Sequence, residues 1–172
     1  KHPDMEAERS GWFECSCCPT NICRLLPSVP GYMYAQQGND IYVNLFASSL
    51  ATIQLGKKSL AIEQQNNYPF NGDLKFIIQS KDKLTFTMKI RIPGWARQEA
   101  IPSDLYSFNS NKKELIMISI NGSPVAYNMD KGYAVITREW KKGDKVEMNL
   151  PMDIQRVYSN EKLKDNQGLV SL

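Results

Sequence analysis

Histidine is almost absent from this sequence: His2 is the only one, and so close to a chain end it reads as a solvated side chain with no role. Outside one nine-residue stretch there is no cysteine at all. No apolar run approaches the length of a membrane-spanning helix, so no membrane segment is expected. A stripe of one charge sign is missing too. The formal net charge is +3, and the pairs Lys57-Lys58, Lys112-Lys113 and Lys141-Lys142 are scattered among turn candidates, which argues against nucleic acid as a partner. There is no internal repeat and no low-complexity segment. What remains is an ordinary globular composition, 172 residues with 42% hydrophobic and 23% charged, enough for one sizeable core. The opening Lys1-His2-Pro3-Asp4 is neither an initiator methionine nor a signal peptide, and Gly168 to Leu172 reads as the beginning of a strand. The chain is therefore expected to be a piece of a longer one.

The chemistry is concentrated in Cys15-Ser16-Cys17-Cys18-Pro19-Thr20-Asn21-Ile22-Cys23. A cluster with an adjacent pair suggests thiolates gathered for a metal or for nucleophilic attack. Structural zinc modules place Cys-x2-Cys knuckles on two separated segments, whereas one segment holds everything here, so any metal must borrow ligands from elsewhere. Pro19 suits the first position of a helix, and Ile22, Leu25 and Leu26 then recur at helical spacing. Cys17 and Cys18 fall at that helix's start, where free N–H groups and the positive end of the helix dipole favour the thiolate, the form that attacks or ligates. Cys23 follows about five residues on, roughly 500° of helical rotation, so it points away from Cys18 and reads as core. Cys15 shares a face with Cys17 if the segment is extended, and its role is open. The plainer alternative is four buried thiols acting as small hydrophobes.

Two unequal zones follow. Residues 1 to about 34 hold the cysteines, the short helix and the helix breakers Pro27, Pro30 and Gly31. From Ile41 onward the pattern is that of strands. Ile41 to Phe46 is rich in β-formers, and Leu84, Phe86, Met88, Ile90 and Ile92 alternate with Thr85, Thr87, Lys89 and Arg91, which predicts one buried face. Asn71-Gly72-Asp73, Asn121-Gly122-Ser123 and Lys142-Gly143-Asp144 punctuate the β-prone runs as turns. Short strands separated in this way predict a mainly β chain, an antiparallel β-sandwich. The stretch from Gly94 to about Lys113 reads as a long inserted loop. Asn121-Gly122-Ser123 also matches a glycosylation sequon, but a type I′ hairpin turn explains it more economically. Glu6, Glu8 and Glu14 read as surface carboxylates before a helix. Trp95, after a Pro-Gly turn, is expected to anchor a loop on the sandwich rather than to stack on a sugar.

The run from Trp12-Phe13 through Cys15, Cys17-Cys18-Pro19, Asn21-Ile22 and Arg24-Leu25-Leu26, followed by Pro30-Gly31-Tyr32, Tyr34-Ala35 and Ile41 to Leu45, resembles glycoside hydrolase family 127 and its relatives, which are bacterial β-L-arabinofuranosidases. The likeness continues through Arg91 to Ala96, Ile120-Asn121-Gly122, Pro124-Val125, Gly132-Tyr133, Trp140-Lys141, Gly143-Asp144 and Leu150-Pro151-Met152, nearly the whole chain. The resemblance implies an (α/α)6 catalytic barrel whose end is the short helical segment at residues 1–34, an accessory β-sandwich at 35–158, and the start of a following β domain at 159–172. It implies that Cys17 is the nucleophile, attacking the anomeric carbon to form a glycosyl thioether, with Cys17 and Cys18 both at a zinc ion that Cys18 ligates. Zinc keeps a coordinating thiol as thiolate at neutral pH, and the chemistry is retaining, with sulfur in place of the usual carboxylate. The implied substrate is an arabinofuranose-containing glycan.

The family's acid/base glutamate, and the glutamate and third cysteine of its zinc site, lie upstream of this sequence, so the piece by itself is expected to be inactive. Thr20 replaces the second proline of the commoner Cys-Cys-Pro-Pro-Asn run, and Pro27 stands where the family helix continues, predicting a shortened or kinked helix. Two rival readings are a carbohydrate-binding or interaction module with incidental cysteines, which requires an exposed aromatic platform, and a small zinc-thiolate protein using all four thiols.

Overall fold

A computed structural model describes residues 17–109 and 115–171 of the chain. It divides into two units, residues 1–32 and 33–172. The described part of the first is a helix, α1 (Cys17–Ser28), and the beginning of a single-turn helix, α2 (Pro30–Met33). Cys17, the first described residue, is already helical, so Pro19 lies inside α1 rather than at its first position. Pro27 does not break α1 at once. The helix runs one residue further to Ser28, whose hydroxyl donates to the Leu25 carbonyl at 2.8 Å, and Val29 N–H donates to the same carbonyl at 3.1 Å. Sulfur and apolar side chains alike are exposed on α1, which buries none of its residues, so Cys23 is not the core residue its spacing suggested.

The second unit is the sandwich. One sheet takes the order β1 (Tyr34–Gln37), β2 (Asp40–Val43), β6 (Leu84–Arg91), β11 (Tyr133–Trp140), β10 (Asn128–Asp130). The other runs β3 (Ser49–Leu55), β4 (Lys58–Asn66), β5 (Asp73–Ile78), β12 (Lys145–Asn149), β8 (Ile118–Ile120), β9 (Ser123–Pro124). A separate two-stranded ribbon pairs β7 (Tyr106–Phe108) with β13 (Val157–Ser159). Among the described residues all strand pairs are antiparallel except one: β2 lies parallel to β6, with Asp40 opposite Thr87 and Val43 opposite Ile90.

Period-two burial explains why the sheets stack. Leu84, Phe86, Met88 and Ile90 in β6, and Ile92 just beyond it, are buried, while Thr85 and Arg91 are exposed. They join Ile41 and Val43 of β2, Ala134, Ile136 and Trp140 of β11, and the buried faces of β4, β5, β12 and β8 in one core cluster, so the two inner faces share it. Trp140 is fully buried, stacks on Phe86 with ring centroids 5.4 Å apart, and donates its Nε1–H to the Phe86 carbonyl at 3.1 Å. A buried indole thus contributes its area without leaving a polar group unsatisfied.

The turns divide by chemistry. Asn121 and Gly122 have φ of 53° and 80° and join β8 to β9, the type I′ geometry expected from Asn-Gly. Lys131-Gly132 makes the same kind of turn between β10 and β11. Lys142-Gly143 instead carries the chain from one sheet to the other, with Asp144 buried beneath it. The Asp144 carboxylate accepts from Asn121 Nδ2 at 2.9 Å and from Lys141 N–H at 3.0 Å, while Asn121 Oδ1 accepts from Lys145 N–H at 2.9 Å. Burial pushes the Asp144 carboxyl up, but the Asn121 and Lys141 hydrogen bonds and the nearby Arg138 and Lys141 charges outweigh it and leave the group below the usual carboxylate range. At the chain's end no further strand forms among the described residues; Ser171 makes a single bridge to Val157.

Candidate functional site

Cys17 and Cys18 open α1 with their sulfurs 3.7 Å apart, both exposed. The Thr20 hydroxyl donates to the Cys17 carbonyl at 3.1 Å. Ile22, Leu25 and Leu26 follow at spacings of three and four from Cys18, forming an apolar stripe on the same helix that is 55, 56 and 65% exposed. Two adjacent sulfurs can act on one centre: tetrahedral zinc with Zn–S near 2.3 Å sets its ligand sulfurs about 3.8 Å apart. No group of three or more possible metal ligands occurs among the described residues. Cys23 stands exposed further along α1, and Cys15, with Glu6, Glu8, Glu14 and His2, lies outside the described residues.

On the sandwich, the segment after β6 builds a second feature. Gly94 to Arg97 form a 3-10 turn, closed when Gln98 adopts a left-handed conformation (φ 65°) and Glu99 N–H returns to the Gly94 carbonyl at 2.9 Å. Gly94 suits this position, because a Cβ would lie 3.1 Å from the Glu99 carbonyl oxygen and the turn would have to shift by a few tenths of an ångström to admit it. Arg97 locks the turn through Nε to the Ile92 carbonyl at 3.1 Å and through an ion pair to Glu99 at 2.9 Å. Trp95 packs half-buried against the core, as an anchor should. It also lines a cleft of about 530 Å³ with Phe46, Tyr68, Asn44, Arg91, Arg97 and Glu99. Tyr68 is held edge-on to Phe46 at 5.5 Å. Sequence reasoning treated Trp95 alone; the residues around it come from β2–β3, β4–β5 and β6 and meet only in three dimensions.

The outer face of the first sheet carries a polar cluster. Lys89 Nζ lies 3.0 Å from Asp40, 3.4 Å from Asp130 and 3.2 Å from the Tyr42 hydroxyl, and sits 4.9 Å above the Tyr42 ring. The Asp40 hydrogen bond foremost, with Tyr42, holds Lys89 above the usual lysine range. Each group has its partner within the cluster, so it ties β2, β6 and β10 together rather than offering a free site.

Residues 40–152 match the family described as Beta-L-arabinofuranosidase, GH127 middle domain, and the chain belongs to that family. It is 25% identical over 171 residues to the non-reducing end beta-L-arabinofuranosidase of Bifidobacterium longum subsp. longum, covering 96% of this chain and 23% of that protein. Among solved structures, a GH127 beta-arabinofuranosidase superposes with a TM-score of 0.89 at 43% identity, covering 95% of this chain and 26% of the other. Ara127N-Se, a GH127 beta-L-arabinofuranosidase from Geobacillus stearothermophilus T6, gives a TM-score of 0.79 at 30% identity, over 97% of this chain and 24% of its own. The chain thus spans about a quarter of the length of these relatives.

Proposed function

We propose that the chain supplies the nucleophilic cysteine and the first sandwich of a retaining β-L-arabinofuranosidase, residues 1–34 closing its catalytic barrel, 35–158 forming the sandwich and 159–172 leading into a further β domain. The observation that carries this reading is the exposed Cys17–Cys18 pair at the start of α1, its sulfurs at the spacing of two ligands on one metal, in a chain of the GH127 family. Cys17 Sγ attacks the anomeric carbon of a β-linked L-arabinofuranoside. The C–S bond forms as the glycosidic C–O bond breaks, the departing oxygen takes a proton from an acid supplied by the parent protein, and water then releases the sugar with net retention. Cys18 is the neighbouring zinc ligand. Zinc, when bound, keeps thiols ionised at neutral pH. The exposed stripe Ile22, Leu25 and Leu26 is then the face on which the remainder of the parent packs, and Cys23 becomes buried only there.

The test uses the full-length parent. Cys17→Ser is expected to remove most turnover of a β-L-arabinofuranoside while leaving the fold, because a serine hydroxyl lacks thiolate character. Cys18→Ser is expected to lower zinc content as well. Near-normal turnover in Cys17→Ser, normalised to zinc, would show that another residue is the nucleophile.

A further inference from the structure

We infer that the cleft at Trp95 is a binding site for a carboxylate-bearing sugar unit, a uronic acid within a glycan. Its aromatic and its polar lining both bear on that ligand, and neither depends on the role of Cys17. Trp95 and Tyr68, both half-buried, come from separate segments, with Tyr68 edge-on to the buried Phe46, and rings of this kind are what the C–H surfaces of a sugar stack on. Asn44, Arg91, Arg97 and Glu99 line the same cleft with planar polar groups. A volume of about 530 Å³ admits one or two sugar rings.

The sign of the ligand follows from how the charges are spent. Glu99 is taken by Arg97, and Arg97 is also bound to the Ile92 carbonyl, so this pair is part of the wall. Arg91 is different. It is an exposed residue at the end of β6, opposite Tyr133, and among the described residues no carboxylate lies within ion-pair distance of its guanidinium. The cleft therefore presents one uncommitted positive charge, on the side chain whose fork matches a carboxylate in two parallel hydrogen bonds. Arg97 and the closed turn from Gly94 to Glu99 hold the aromatic wall in place beforehand, so little ordering is left to be done on binding.

The experiment follows backbone amide shifts of the isotopically labelled chain during titration with α-1,4-linked digalacturonate, with neutral arabinobiose as the control. The expected result is saturable shifts at Trp95, Arg97 and Glu99 with digalacturonate, weakening as salt is raised, and no saturable shift with arabinobiose. Arg91→Ala, an exposed substitution that leaves the core intact, is expected to weaken binding at least about tenfold, the worth of one charge-assisted bidentate contact. Trp95→Phe keeps the anchor while shrinking the stacking surface, and is expected to weaken binding less. The inference is overturned if neither sugar binds, if arabinobiose binds as well as digalacturonate, or if Arg91→Ala binds unchanged. It is equally overturned if, in the full-length parent, a protein segment covers the cleft and protects Trp95 from the sugar. Turnover by Cys17 is not read at any stage, so failure here leaves the nucleophile assignment standing.

Discussion

The helix and the sandwich solve opposite problems with similar materials. In the sandwich, apolar side chains at every second position find partners across two sheets, and Trp140 and Asp144 are satisfied as well, Trp140 donating to the Phe86 carbonyl and Asp144 accepting from Asn121 and Lys141, whereas the buried Gln64 keeps its Oε1 without a partner. On α1 an apolar stripe at helical spacing finds nothing to cover it among the described residues of its own unit. A helix of twelve residues has marginal stability in water by itself, so what holds α1 must come from packing supplied elsewhere. Stability and chemistry are thus divided along the chain. The sandwich is the self-sufficient part, and the thiols sit on the dependent part.

Substitutions can break or sharpen that division. The largest effect is expected at Trp140, where Trp140→Ala should lower the unfolding free energy of the chain by about 3–5 kcal/mol, read from urea titration; a loss below about 1 kcal/mol would mean that the shared core is not what stabilises the chain. Next comes Gly72→Ala. The added Cβ would fall 1.9 Å from the Leu150 carbonyl oxygen, where Leu150 N–H already donates to the Gly72 carbonyl at 2.9 Å, so backbone must move. Overpacking of that kind costs about 1–3 kcal/mol, and a neutral result would show that the loop before β5 is loose.

Asp144 gives a smaller, pH-dependent effect. Its carboxyl lies lower in the folded chain than in the unfolded one, so its contribution is present at neutral pH and is lost as pH falls from about 4 through the folded value. Thermal midpoints should drop over that acid range, and Asp144→Asn should flatten the drop while lowering the midpoint at pH 7. An unchanged acid slope would assign it to other carboxylates. The smallest effect is expected on α1: Cys23→Ala and Leu26→Ala should each change the stability of the chain by less than about 0.5 kcal/mol, because both residues are exposed. A loss above about 1 kcal/mol at either would show that the helix has a core of its own after all.

Local patterns were legible in the sequence, and convergent ones were not. The register of β6 followed from alternation at Leu84 to Ile92, and the Asn121-Gly122 hairpin from the one residue pair that best tolerates two positive φ angles. A helix around Pro19 was legible from Ile22, Leu25 and Leu26, while its first residue lies at the edge of the described residues. The burial of Cys23 was misread because helical angle says which side a residue faces, not whether anything lies there. The parallel β2–β6 pair was missed because short strands with turn signals between them carry no mark of a non-local partner. The cleft at Trp95 was missed for the same reason. Asn44, Tyr68 and Arg91 are separated by whole strands, and no spacing rule joins them.

The parallel β2–β6 pair has a further consequence when the chain is made. The β1–β2 hairpin leaves the ribosome before the strand it must join, β6, which follows only after β3, β4 and β5 of the opposite sheet. Parallel pairing needs a crossover and cannot nucleate from a tight turn, so the hairpin waits with an open backbone edge until β6 arrives. During that interval Ile41 and Val43, fully buried in the finished protein, are without their sheet. Synthesis therefore passes through a window in which the nascent chain is most prone to cling to a neighbour, and slowing translation between β2 and β6 would lengthen it.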